Sequence, residues 1–326
     1  MTTIRPALLS FTTLLCLTAA PLGAQPEAAI SNGVLEAKLY LPDPGEGYYR
    51  GTRFDWSGQI ASLRYKDHEY FGQWFPKYDP KLHDAIMGPV EEFRTEDGGL
   101  GYAEARPGGE FIRIGVGVVR KPEEKEFRWS QTYEIVDPGQ WSVRQGENWI
   151  EFVHELRGGA RYAYRYTKRI TLVDGKPEMV IAHRLDNTGS KPIETLQYNH
   201  NFFVIDGQPT GPNFVVRFPF ELHAEGRLGD KAAVRGNELV FLRELAPKES
   251  AFTYLTGFGD TADDYDITIE NRRAGAGVHI KGDRPLARVV FWSIRTTLCP
   301  EPYISLRVPP GGAEEWSIWY RFYETE

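Results

Sequence analysis

The chain has 326 residues, 41% of them hydrophobic and 25% charged, so it carries enough apolar surface for a large core and too much for a disordered polymer. Its 33 glycines and 22 prolines favour a chain cut into short segments by turns over one built from long helices. With 38 Lys and Arg against 45 Asp and Glu, the formal net charge of −7 argues against a nucleic-acid or anionic-membrane partner and favours a neutral or weakly charged ligand.

At the N-terminus, Arg5 is the one charge before an apolar run over 7–20, and small residues lead to Ala24. This reads as a secretory signal at 1–24, removed to leave a mature protein at 25–326 that is periplasmic or secreted and free of the membrane. The run is too short to span a bilayer. Its removal takes Cys16 and leaves Cys299 as the sole thiol, so no intrachain disulfide can form and burial must hold the fold together. Between Leu298 and Pro300, that thiol reads as a small buried hydrophobe.

Period-two alternation then dominates. It predicts a strand over 111–118, where Ile112, Ile114, Val116 and Val118 share one face. A meander follows over 149–156, 162–173 and 179–185, with breaks at Gly158-Gly159 and Asp174-Gly175 and a closing turn at 186–189. Further strands are expected at 196–205, 214–220, 239–242, 251–256, 265–270, 278–280, 286–292, 304–308 and 315–323. No stretch of ten residues shows helical periodicity. Strands at such spacing, with no Gly/Ser-rich linker, predict one all-β domain, an antiparallel sandwich or barrel. The less regular stretch 67–109, with Trp74, Tyr78 and His83, reads as long loops over one end or face of the sheets.

The chain has no H-E-x-x-H, C-x-x-C, G-x-S-x-G or Walker motif, and its seven histidines lack close metal-ligand spacing, so no metal or cofactor is expected and a transition metal could be held only by residues distant in sequence. A calcium ion on oxygen ligands stays open, because 260–266 holds four acids. Two clusters remain. In Gln197-Tyr198-Asn199-His200-Asn201-Phe202-Phe203, alternation puts Tyr198, His200 and Phe202 on one face and Asn199, Asn201 and Phe203 on the other. The imidazole is either a satisfied core histidine or a shielded acid. In Cys299-Pro300-Glu301-Pro302, the carboxylate is either a plain turn residue or a group held for chemistry.

These clusters resemble the Asn-His-x-x-Phe strand and the later Glu-Pro segment of aldose 1-epimerases (galactose mutarotases) and their hexose-6-phosphate mutarotase relatives. Ser31-Asn32-Gly33-Val34-Leu35-Glu36-Ala37 is similar to the family's opening strand, 58–71 to the hairpin after it, 289–292 to the hexose-phosphate branch, and 308–322 to the closing strand. The resemblance covers most of 30–326. It implies an antiparallel β-supersandwich and a cofactor-free interconversion of sugar anomers, with Glu301 as base and His200 as acid, exchanging roles on ring closure. Trp292 and Tyr303 would stack on the sugar, and Arg53, His83 and Asn199 would contact its hydroxyls. Tyr265-Asp266 is similar to a sugar-binding Asp of some mutarotases, but stands closer to Glu301 in sequence. The family's Arg motif after the first hairpin has no clear counterpart in Arg50 or Arg53.

The expected partner is a small sugar or oligosaccharide, and export favours a neutral hexose or an oligosaccharide end over a phosphorylated sugar. The oligomeric state is not legible. Two other readings fit the same residues: a polysaccharide lyase or glycoside-processing enzyme recruiting Tyr198, His200 and Arg53, or a carbohydrate-binding protein without catalysis.

Overall fold

The computed structural model describes residues 25–157, 161–226 and 228–325. The predicted signal segment and the predicted break at Gly158-Gly159 lie outside them. Two antiparallel sheets face each other. The larger has ten strands, ordered Ala232–Arg235, Glu238–Phe241, Phe214–Arg217, Asp266–Asn271, Ala276–Gly282, Ala313–Glu324, Glu178–Asn187, Tyr164–Leu172, Trp149–Leu156 and Gln140–Gln145. The smaller has six, ordered His223–Glu225, Ser250–Thr256, Arg288–Ile294, Thr297–Val308, Ile193–His200 and Val90–Arg94. A four-stranded sheet within Glu27–Glu69 and a three-stranded one within Glu110–Asp137 complete an all-β supersandwich. The only helical elements among the described residues are two short 3-10 turns, and none is long and apolar enough to cross a membrane.

The alternation read from sequence is the alternation of burial. Tyr164, Tyr166, Ile170 and Leu172 point inward along one strand, and Ile267 and Ile269 along another. Phe93 of the six-stranded sheet packs edge-on against Tyr166 and Trp316 of the ten-stranded sheet, with centroids 5.1 and 6.2 Å apart. That contact marks the inter-sheet core. Lys168 interrupts its apolar row and is fully buried, which is tolerable only because it is paired. Its ammonium contacts the Glu91 carboxylate, donates to the Ser57 carbonyl at 2.9 Å and lies 3.7 Å from Asp55. His183 stands 2.9 Å from the same Glu91. Against the push of burial, Lys168 and His183 hold Glu91 below the usual carboxylate range, while burial lifts Asp55 to about 7.

The smaller sheet is buried on both faces near its centre, from Thr297 to Ile304. One face meets the inter-sheet core. The other is covered by a second apolar cluster that joins Tyr49, Phe54, Trp56, Trp74, Ile86 and Tyr133 to Phe202 and Cys299. The irregular stretch thus covers a sheet face as expected, with one correction: Val90–Arg94 within it is the edge strand of that sheet. A second correction concerns 111–118, which is a hairpin of Glu110–Arg113 and Gly117–Arg120. Gly115 turns it at φ +79°, and a Cβ there would sit 2.6–2.8 Å from the Asp55 side chain, so only glycine fits.

Candidate active site

The Glu301 segment, open to a turn reading from its sequence, lies inside the strand Thr297–Val308. Tyr198 pairs with Tyr303, and farther along Phe203 pairs with Leu298 in the same register, so His200 falls opposite Glu301. The Tyr303 carbonyl accepts from the Ala287 N–H at 2.7 Å, which directs the odd-numbered backbone groups away from Ile193–His200. Pro300 and Pro302 therefore turn toward that strand, and neither has an N–H to give. The ladder lapses between them although the register holds. His200 and Glu301 occupy a non-hydrogen-bonded position, where facing side chains come closest, and Nε2 of His200 lies 3.3 Å from Oε1 of Glu301.

At the lapse, Asn201 Nδ2 donates to the Pro300 carbonyl at 2.7 Å, and its Oδ1 accepts from the Tyr320 hydroxyl at 2.8 Å. Phe202 takes a positive φ of 36°, and its ring lies flat on the His200 imidazole at 3.8 Å and on Trp74 at 4.8 Å. Phe54 and Trp292 present edges to the imidazole at 5.7 and 5.6 Å. This aromatic enclosure sets the proton inventory. Burial, with Glu92 adding to it against Arg53, raises Glu301 to about 8, and burial with Arg53 pushes His200 well below its ordinary value. At neutral pH the pair holds one proton, on Glu301, beside a neutral imidazole. Ionised Glu301 with protonated His200, the resting state implied by the expected roles, is the arrangement that burial disfavours.

Both groups line a cavity of about 420 Å³ with Arg53, Trp74, Asp84, Arg94, Trp129, Phe252, Tyr254, Arg288, Trp292 and Tyr303. Tyr303 stacks on Tyr198 at 4.1 Å, and its hydroxyl donates to Glu301 Oε2 at 3.4 Å. Arg53 is fixed from several sides. Its Nε donates to Glu92 at 3.0 Å, a terminal nitrogen donates to the Tyr198 hydroxyl at 3.1 Å, and its carbon lies 4.5 Å from both the Phe54 and Trp129 ring centres. Arg113, fully buried, reaches Glu92 at 3.2 Å from behind and donates to the Arg53 carbonyl at 2.7 Å. Against the opposing push of burial, Arg53, Arg113 and Arg94 hold Glu92 down to about 2.

Of the residues singled out from sequence, His200, Glu301, Arg53, Trp292 and Tyr303 meet in this cavity. Asn199 does not. It is fully buried on the opposite face, donating to Glu91 at 3.1 Å and accepting from Gln197 at 2.7 Å, so its amide serves the inter-sheet layer. His83 lies behind the lining, edge-on to Trp129 at 5.2 Å and 3.4 Å from Asp84, and it is Asp84 that reaches the cavity. Asp266 sits on the ten-stranded sheet, 2.7 Å from His279. Sequence reasoning missed Glu92, Arg94, Arg113, Arg288, Trp129, Phe252 and Tyr254. Only the adjacent Glu91 and Glu92 between apolar Val90 and Phe93 carried a local signal. Among the described residues, no group of three or more His, Cys, Asp or Glu is arranged to hold a metal.

No protein-family model matches the sequence, and no curated protein matches it. Solved structures do match its fold. A protein from Synechocystis sp. is 12% identical, with 95% of this chain and 99% of that one covered and a TM-score of 0.56. A galactose mutarotase-like protein from Lactobacillus casei is 12% identical over 91% of this chain and 100% of that one, with a TM-score of 0.56. An aldose epimerase homologue from C. elegans is 14% identical over 93% and 100%, with a TM-score of 0.50. On this likeness, which spans nearly the whole of each chain, the protein has the galactose mutarotase-like fold.

Proposed function

We propose that this protein is an aldose 1-epimerase, a mutarotase that interconverts sugar anomers by acid–base opening of the ring. The observation that carries the reading is the His200–Glu301 contact of 3.3 Å at the wall of a sugar-sized cavity. Ring opening needs a base for the anomeric hydroxyl proton and an acid for the ring oxygen. The C1–O5 bond breaks as the C1 carbonyl forms, the aldehyde rotates about C1–C2, and the hydroxyl re-adds to the other face. A pair holding one proton supplies both functions at once, His200 accepting while Glu301 donates, and the roles exchange on closure. Each group contributes on the order of 10²–10⁴ in rate when within hydrogen-bond reach of its oxygen. Trp292 and Tyr303 offer ring faces to the apolar side of a pyranose, and Arg53 offers hydrogen bonds to its hydroxyls.

The test is polarimetry of freshly dissolved α-anomers with the wild type, Glu301→Gln and His200→Ala. Acceleration by the wild type, lost in both variants, is expected. No acceleration of any sugar sinks the reading. We also propose that the protein is exported, processed after Ala24, and works as a single domain in the periplasm or medium. N-terminal sequencing of protein from the periplasmic fraction checks this, and a retained Met1 would contradict it.

A further inference from the structure

Ring opening by the proposed pair needs no surplus of positive charge, yet the cavity has one. Among the described residues its lining holds three guanidinium groups, Arg53, Arg94 and Arg288, and two carboxyl groups, Asp84 and Glu301. Arg53 is committed to Glu92, which Arg113 also engages. Arg94 and Arg288 have no carboxylate within ion-pair distance among the described residues. They lie to either side of the stacked Tyr198 and Tyr303: Arg288 faces Tyr303 across one ladder and lies 5.6 Å from its ring, and Arg94 faces Leu196 one row beyond the Tyr198–Glu92 pair. This local charge is opposite in sign to that of the chain as a whole.

We propose that the sugar taken by this site bears a carboxylate and that Arg94 and Arg288 hold it, which makes the substrate class a hexuronate, free or at the end of an acidic oligosaccharide. The proposal rests on the mutarotase reading of the pair. Arg288 is two residues from Val290, the residue facing Glu301, and two residues along a strand are about 7 Å. The anion and the reacting carbon then belong to one pyranose. Guanidinium forks match the planar, two-oxygen geometry of a carboxylate. Burial keeps Glu301 protonated at neutral pH, so it does not repel the incoming anion. Phe252 and Tyr254, 46% and 42% exposed, continue the lining beyond Trp292 and Val290 and leave room for the next sugar of a chain. The neutral ligand expected from net charge gives way here because a ligand senses the cavity's charge before the average over the surface.

The test is calorimetric binding and polarimetric mutarotation of glucuronate, glucose and glucose 6-phosphate with the wild type, Arg94→Gln/Arg288→Gln and Arg94→Lys/Arg288→Lys. A preference for glucuronate over glucose of at least tenfold is expected in the wild type. It should collapse toward unity in the glutamine variant, survive in part in the lysine variant and shrink with added salt. Equal handling of glucose and glucuronate overturns the proposal, as does a preference that the glutamine variant retains, or tenfold favour for glucose 6-phosphate over glucuronate. Should the double variant fail to fold, Arg288→Gln alone, at an exposed position, gives the same readout. Arginine-dependent glucuronate binding without mutarotation of any sugar would uphold the anion site and sink the mutarotase reading, so the two fail separately.

Discussion

The Asn201 side chain supplies the donor that the Pro300 carbonyl takes where the ladder between the two strands lapses. Its amide reaches the Pro300 carbonyl at 2.7 Å, where two prolines interrupt the ladder between the strands that carry His200 and Glu301. The gap lets two buried polar side chains meet, and the asparagine keeps the strands from parting.

Asn201→Ala should therefore cost about 1–3 kcal/mol, because it orphans both the Pro300 carbonyl and the Tyr320 hydroxyl in a dry interior. Mutarotation should slow as the His200–Glu301 spacing loosens. Urea midpoints and polarimetry check this, and an unchanged midpoint together with an unchanged rate would refute it.

Glu301 couples stability to pH. Its value in the folded protein, about 8, lies above that of an exposed glutamate, so the unfolded chain loses the proton first as pH rises. The contribution is fully present below about pH 4.5 and is lost progressively up to about pH 8. Glu301→Gln removes this slope, and its stability relative to the wild type should grow across that window, by about 3–5 kcal/mol at most. Thermal melts of both proteins from pH 5 to 9 decide it: parallel curves would exclude the buried, protonated carboxyl.

Rate and pH give an independent view of the same proton. With Glu301 as the protonated partner and His200 neutral, kcat/KM should fall above about pH 8 as the free enzyme loses the acid. A kcat/KM that rises through that value instead would mean that the active pair carries no proton, because ionised Glu301 beside protonated His200 is the same one-proton state and falls likewise. A polarimetric profile of the wild type separates the two directions.

Glu92→Gln leaves Arg53 and Arg113 facing each other without the carboxylate that both engage, and both are largely buried. Breaking such a pair costs about 3–5 kcal/mol. Sugar affinity should fall with it, since Arg53 loses the carboxylate that orients it. Denaturant titration with sugar-binding calorimetry tests this, and an affinity like that of the wild type would free Arg53 from its supposed role.

Much of this was legible in the sequence because sandwich strands write their burial as alternation. The meander from Trp149 to Asn187 follows that pattern closely. Alternation also put Asn199 on the face opposite His200, a conflict with its expected contact to sugar that the structure resolves in favour of periodicity. Pro300 and Pro302 concealed a strand, because local rules read two prolines as a turn and cannot see that their missing N–H groups fall at a lapsed ladder. Val90–Arg94 was hidden for the converse reason: Glu91 and Glu92 look solvated until Lys168, Arg53 and Arg113 arrive from distant segments to neutralise them. Charges that depend on partners about 20 to 80 residues away leave no local pattern.

The chain of contacts from Arg113 through Glu92 to Arg53 and Tyr198 has a further effect on recognition. A free arginine must give up many rotamers to hold a ligand, and that loss weakens binding. Here folding has already confined the guanidinium between two aromatic rings and a carboxylate, so on the proposed reading a sugar would meet a donor array that needs no further ordering. Such a site gains affinity without added contact area, and it discriminates by shape, because its donors cannot swing to follow a misplaced hydroxyl.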